Sequence, residues 1–241
     1  MMSKVSFDVS GKNVLITGGC GGIGSSFARA FVAAGAKVNV TDVKPAPADL
    51  IELGVAVELL DVTDTAAVES LAARISTLDV LIHCAGFLVP FKEHKIDVFQ
   101  KVMDVHLFGN VRLAAAFRSH LAASRGCIIN IGSMYSYFGN ARVPAYAAAK
   151  TAVVSLTRSL AIAYAEEGIR VNAIAPGWID TEISKGGQQD EAFNAKVMDR
   201  LPTKRWSDPM ELAGTALFLA SPASSLITGV TIPVDGGYVA S

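Results

Sequence analysis

Ser133, Tyr146 and Lys150 carry side chains able to move a proton, and their spacing lets them meet. Tyr146 and Lys150 are four apart in PAYAAAKTAVV, so on a helix they share one face. Ser133 follows the apolar run Ile128, Ile129, Ile131, and comes beside them once the intervening loop folds back. A hydroxyl, a phenol and an ammonium held together can pass a proton to or from a substrate oxygen.

A second group suits a cofactor. TGGCGGIG, residues 17–24, follows the apolar KNVLIT and opens the amphipathic SSFARAFVAAGA. Glycines there permit a tight turn and let backbone N–H groups approach a pyrophosphate at a helix N-terminus. By itself such a turn would also suit S-adenosylmethionine, or close packing without a ligand. Asp42 ends a second strand, Lys37–Thr41, 18 residues beyond Gly24, near the spacing of a dinucleotide site. A carboxylate there accepts the adenosine ribose hydroxyls and repels a ribose phosphate, which predicts NAD rather than NADP; Lys44 is the nearby charge that opposes this. The plainer alternative is an Asp that caps its own turn.

The elements that must position these groups alternate. Apolar runs at residues 12–17, 37–41, 55–60, 79–86, 128–131, 169–177 and 229–234 read as seven strands. Helical spacing appears at 63–76, 97–123, 144–167 and 209–220 between them. That pattern predicts a single α/β domain spanning 1–241, a doubly wound parallel sheet flanked by helices. Residues 178–206 are polar and lack a clean period, which predicts a loop or lid over a substrate.

Composition narrows the class. The 241 residues are 51% apolar and 18% charged with a formal charge of −1, the profile of a folded chain with a large core. Basic residues are scattered, which argues against a nucleic-acid partner. Cys20, Cys84 and Cys127 are an odd, widely spaced set without metal-ligand spacing, and predict a reduced cytoplasmic protein. MMSKVSFDVSGK has no apolar signal core, and no apolar run approaches the ~18 residues of a membrane span.

From about Gly11 to Gly237 the chain resembles the short-chain dehydrogenase/reductase family. The resemblance rests on Thr17-Gly18-x3-Gly22-x-Gly24, Asp61-Val62, Ala85-Gly86, Ser133, Tyr146-x3-Lys150, Pro176-Gly177-x3-Thr181 and Asp235-Gly236-Gly237. It implies a Rossmann-like fold and a hydride moved between nicotinamide and a secondary alcohol or ketone. In it Tyr146 is the general acid and base, Lys150 lowers the phenol pKa and holds the nicotinamide ribose, and Ser133 stabilises the substrate oxygen. The same resemblance gives Gly18, Cys20, Gly22, Ile23 and Gly24 to the cofactor phosphates, and Asp61 and Val62 to adenine. It gives Ala85 and Gly86 to the middle of the cofactor, and Pro176, Gly177, Ile179 and Thr181 to the carboxamide end. Similar proteins are mostly tetramers, and the Ala-rich Tyr-Lys helix suits close packing against a partner.

Two departures from the family pattern stand out. His83-Cys84 replaces Asn-Asn before Ala85-Gly86, which predicts that Cys84 leaves one strand-tying hydrogen bond fewer. His106, in Val105-His106-Leu107-Phe108-Gly109, replaces the Asn that supports a water in the relay to the catalytic lysine. An imidazole could hold that water, pass a proton itself, or merely fill the space. Aromatics around the nicotinamide end (Phe87, Tyr135, Trp178) predict an apolar or ring-bearing substrate, and Arg142 and Arg205 are candidates for a substrate carboxylate. The rival readings are an NADP-linked 3-oxoacyl reductase and a non-catalytic NAD-sensing protein.

Overall fold

Val14 and Ile16 face one side of strand β1 (Asn13–Thr17) and Leu15 the other, and all three are fully buried. A strand apolar on both sides needs cover on both. The computed structural model, which describes residues 5–241, supplies it. Strands β1, β2 (Lys37–Asp42), β3 (Ala56–Leu59), β4 (Val80–His83), β5 (Cys127–Ile131), β6 (Arg170–Pro176) and β7 (Thr231–Val234) form one parallel sheet. Their spatial order is β3-β2-β1-β4-β5-β6-β7. The signal-core reading rests in part on residues 1–4, outside the described residues. Among the described residues, no helix is long and apolar enough to cross a membrane.

Helices α1 (Gly22–Ala33) and α10 (Ala213–Ala220) cover the Val14 face, where Phe27 and Phe31 meet Val80, Ile129 and Leu219. The Leu15 face packs against α3 (Thr65–Arg74), α5 (Gly109–Ala116), α6 (Arg118–Ser124) and α7 (Pro144–Ala163), through Leu71, Leu113, Phe117, Leu121 and Ala161. The short α2 (Ala48–Glu52) seats Leu50 in the first core. Strand order reverses between β1 and β4, the point of such a sheet where ligands bind beyond the carboxyl ends of the strands. The segments that leave these two strands touch: a Cβ on Gly18, whose φ is +66°, would lie 2.4 Å from the Ala85 nitrogen. Only glycine fits that conformation and that distance.

The expected helix over 97–123 is interrupted. It comprises α4 (Ile96–Met103), one π turn at Asp104–Phe108, α5, a break at Phe117, and α6. An inserted π residue leaves the apolar spacing nearly unchanged, so periodicity does not reveal it. Residues 178–206 also differ from a plain loop. They contain α8 (Lys185–Gln189) and α9 (Glu191–Arg200), the latter capped by Asp190, which accepts from the Phe193 N–H at 3.1 Å. The Tyr-Lys helix stops at Ala163, short of Glu167, because a 3₁₀ turn over Ala165–Glu167 and Gly168 at φ +77° follow.

The strand tie expected to be missing is made by the other substituted residue. Cys84 contributes only its backbone, donating to the Thr17 carbonyl at 2.9 Å. His83 Nδ1 lies 2.7 Å from Thr17 Oγ1, joining β4 to β1, and its Nε2 is 3.3 Å from the Val105 carbonyl in the π turn. Burial, and then the Lys150 charge, push the His83 pKa down to about 3, so the ring is neutral in the fold. An unfolded His binds its proton near 6.5, so folding stability must fall as pH drops from about 6.5 toward 3, by ~1.4 kcal/mol per unit for this ring. Urea midpoints measured between pH 7 and 4 should fall less steeply in His83→Asn than in the wild type. Equal slopes would show that His83 takes up its proton without unfolding.

Candidate active site

Local sequence places the serine. Ser133 leaves β5 and caps the 3₁₀ turn Met134–Ser136; its Oγ accepts from the Tyr135 N–H at 3.1 Å, and Ser136 Oγ accepts from the Ser133 N–H at 3.2 Å. Tyr146 and Lys150 stand on one face of α7, as their spacing predicts. Val143 and Pro144 start that helix but offer it no side-chain cap. The cap comes from Glu93, a fully buried residue of the loop after β4. Its carboxylate accepts from the Tyr146 N–H at 2.8 Å and from the Val89 N–H at 2.9 Å. Glu93 is a positioning residue that sequence reasoning missed, since an acid within KEHK resembles any solvated loop charge.

Burial sets the electrostatics of the site. Lys150 Nζ donates to the Ile131 carbonyl at 2.7 Å and lies 5.5 Å from the Tyr146 ring centroid. Burial pulls the Lys150 pKa down to about 8. It pushes that of Tyr146 up to about 12; Ser133, hydrogen-bonded to the phenol, lowers it and Glu93 raises it further. In the protein without a bound dinucleotide, desolvation of the phenolate dominates, and Tyr146 keeps its proton. The phenol is poised as an acid.

His106 sits in the π turn, buried, with its ring edge-on to Tyr146 at 5.2 Å between centroids. Its Nε2 is 2.7 Å from the Phe87 carbonyl and 3.1 Å from the Phe87 N–H. The shorter contact favours a proton on Nε2, leaving the Nδ1 lone pair buried without a partner among the described residues. Burial, then the Lys150 charge, drive the His106 pKa well below 6.5, so this ring holds or accepts hydrogen bonds rather than carrying a standing charge. The ring fills the space over Gly86, where a Cβ would lie 2.3 Å from His106 Cε1.

The residues expected to meet a cofactor stand at or just beyond the carboxyl ends of β1, β2, β3, β4 and β6. Gly21 caps α1 without a side chain, leaving the first-turn N–H groups free for an anion. Asp42, buried at the end of β2, accepts from the Cys20 and Lys44 N–H groups, each at 3.0 Å. Two bonds leave carboxylate lone pairs for a ribose diol. Thr181 lies over the glycine turn, since a Cβ on Gly22 would come 2.6 Å from Thr181 Cγ2. Ile179 bridges to Ser207, and Gly177 abuts Asp235 after β6 ends at Pro176. Val62 is buried against Gly109, while Asp61 is half-committed to Thr63 through Oδ1. Ile23 reaches the substrate side. This set fits a dinucleotide.

A cavity of about 410 Å³ opens onto Ser133 and Tyr146, walled by Leu88, Tyr135, Trp178, Phe193 and Trp206. Trp178 is its hub, edge-on to Trp206 at 5.1 Å, Phe193 at 5.4 Å and Tyr135 at 6.1 Å. Arg142 lines this cavity, whereas Arg205 is held outside by both oxygens of Glu211. A second groove, about 480 Å³ between β2, β3 and α3, holds none of the reactive residues.

A family model described as Enoyl-(Acyl carrier protein) reductase matches residues 18–239. The 5-keto-D-gluconate 5-reductase of Escherichia coli is 37% identical, with 97% of each chain covered. The cis-4-hydroxycyclohexanecarboxylate dehydrogenase of Sinomonas cyclohexanicum is also 37% identical, covering 94% of this chain and 96% of that one. The crystal structure of a gluconate 5-dehydrogenase from Burkholderia cenocepacia, in complex with NADP and tartrate, superposes with a TM-score of 0.91 at 34% identity, covering 98% of each chain. Matched over nearly its whole length by family model, curated relatives and a seven-stranded parallel fold, the chain belongs to the short-chain dehydrogenase/reductase family of oxidoreductases acting on CH–OH groups.

Proposed function

We propose that the protein moves a hydride between NAD and a secondary alcohol or ketone, with Tyr146 as proton donor and acceptor. The observation that carries this is the convergence of Ser133, Tyr146 and Lys150 where the aromatic cavity meets the glycine turn. When bound, a nicotinamide dinucleotide supplies or takes up the hydride. The protein's residues do the rest. Ser133 Oγ and the Tyr146 hydroxyl bind the substrate oxygen, and Tyr146 gives its proton to that oxygen in reduction. Lys150 holds the nicotinamide ribose and replenishes the phenol. His106 offers the Nδ1 lone pair to a water that links this group to solvent. The segment 178–206, carrying α8 and α9, closes over the substrate.

NAD is the preferred cofactor because Asp42 presents a buried carboxylate where NADP would place a phosphate. The Burkholderia relative holds NADP, so this preference is the part of the reading most open to test. The relatives named above act on gluconate-type acids or a cyclohexane acid, and a small carboxylate-bearing alcohol is the class carried to this chain. We also propose that the enzyme is cytoplasmic, in line with its free cysteines, and a homotetramer, since Phe108, Val111 and Ile162 leave apolar surface on the π turn, α5 and α7.

Tyr146→Phe should cut kcat by about 10²–10⁴-fold while leaving NAD binding in place, and undiminished turnover would remove Tyr146 from the chemistry. Asp42→Ser should move the NADH-to-NADPH preference in kcat/KM by about 10–100-fold toward NADPH. A wild type that already prefers NADPH would overturn the cofactor assignment in favour of the NADP-linked reading. For reduction, kcat/KM should hold level at neutral pH and decline above about 8, as Lys150 loses its proton. In Lys150→Arg that decline should move upward; an unmoved profile would assign the limb to another group.

A further inference from the structure

Among the described residues lining the aromatic cavity, Arg142 alone bears a charge. Its guanidinium is stacked between two rings, 4.7 Å from the Phe91 centroid and 4.5 Å from that of Phe193. Such a sandwich fixes the plane of the fork and strips part of its hydration, which prepares arginine for an anion. Its backbone is fixed as well: the N–H donates to Asn140 Oδ1 at 2.8 Å and the carbonyl accepts from the Phe91 N–H at 2.7 Å.

The guanidinium is underused. Nη2 donates to Asp190 Oδ2 at 3.1 Å, a single bond, and Nε and Nη1 have no hydrogen bond among the described residues. Asp190 has a second task, since its other oxygen accepts from Phe193 and caps α9. Another donor at the same wall is also unspent. Trp178 Nε1 is buried without an acceptor among the described residues, whereas Trp206 Nε1 donates to Asn194 Oδ1 at 2.8 Å. Arg142 and Trp178 both pack on Phe193, so two unfilled donors share one aromatic support. The remaining wall is chiefly hydrocarbon and offers few partners for a string of hydroxyl groups.

We propose that Arg142 anchors a carboxylate of the substrate, replacing its bond to Asp190, with an apolar ring between that carboxylate and the reacting carbinol. The proposal rests on the hydride-transfer reading for the identity of the ligand as a substrate, and on geometry for the anchor. Asp190 occupies the guanidinium when no substrate is present. Exchange of one carboxylate for the other links anion binding to α9, the helix that Asp190 caps.

Both tryptophans of the chain line this cavity, so binding can be followed by their fluorescence without turnover. The NAD-loaded enzyme is titrated with cyclohexanecarboxylate, with the neutral cyclohexanecarboxamide, and with D-gluconate. The expected result is a carboxylate bound at least about tenfold more tightly than the amide, as a charge-assisted bond to a fork implies, and more tightly than gluconate. Arg142→Gln should bring the carboxylate-to-amide ratio near one. Asp190→Asn, which retains a capping side chain, should tighten the carboxylate several-fold by removing its competitor. If Arg142→Gln does not fold by circular dichroism, the wild-type ratio and Asp190→Asn decide between them. Equal binding of acid and amide, binding of neither, or weaker carboxylate binding in Asp190→Asn would overturn the anchor. Tighter gluconate than cyclohexanecarboxylate would overturn the apolar ring. Assay of cis-4-hydroxycyclohexanecarboxylate as hydride donor separates the two readings: tight Arg142-dependent binding of the carboxylate with no turnover of this or any other hydroxy acid would sink hydride transfer and leave the anchor standing.

Discussion

Lys150 keeps its ammonium on the Ile131 carbonyl, 2.7 Å away, in surroundings that exclude nearly all water. An unpaired charge there would be costly, so the position of that carbonyl, at the end of β5, fixes where the ammonium can be. The neighbours have adapted to it. His83 and His106 stay neutral because burial and the same charge both oppose a second cation. The Cys84 thiol remains protonated, its pKa pushed up to about 12 by burial despite the attraction of Lys150. Tyr146 is held as a phenol beside a lysine whose own proton is loosely held. Two adjacent groups with pKa values moved in opposite directions by burial form a natural proton-transfer pair.

Around this pair the backbone supplies precision. Glu93 reaches from the loop after β4 to the first turn of α7, so one carboxylate ties the lip of the cavity to the Tyr146 backbone. The π turn does related work on the other side. It turns His106 inward onto Phe87, and Phe87 follows the Ala85-Gly86 segment that touches the glycine turn. The glycine turn, the Tyr146 backbone and the lip of the aromatic cavity are therefore braced on the same few residues. The two imidazoles that stand where the family usually has asparagine retain cross-strand and loop contacts, through a different ring geometry and without added charge.

The chain's relatives show how widely one proton-and-hydride device can serve. They include an enzyme named for a polyhydroxy keto acid and one named for a ring acid, at the same identity. Relatives of equal identity are thus named for chemically different molecules. In this chain the cavity beside Tyr146 is walled by a cluster of aromatic rings around Trp178, with a single stacked guanidinium at its edge.

Much of this was legible in the sequence. Alternating apolar runs specified seven parallel strands, because a strand buried on both faces has no other cover than helices. The four-residue step from Tyr146 to Lys150 placed both on one helical face, and Gly18 marked a turn that no other residue could make. Tertiary structure decided what periodicity cannot encode. The π turn adds one residue to a helix without disturbing its apolar spacing, Glu93 acts across 53 positions, and His83 rather than Cys84 carries the strand tie. It also separated Arg142 from Arg205, two identical side chains in polar segments, because only packing determines which of them faces the cavity. Local sequence dictates backbone geometry; burial and distance, which set every pKa and every long-range hydrogen bond here, exist only once the chain has folded.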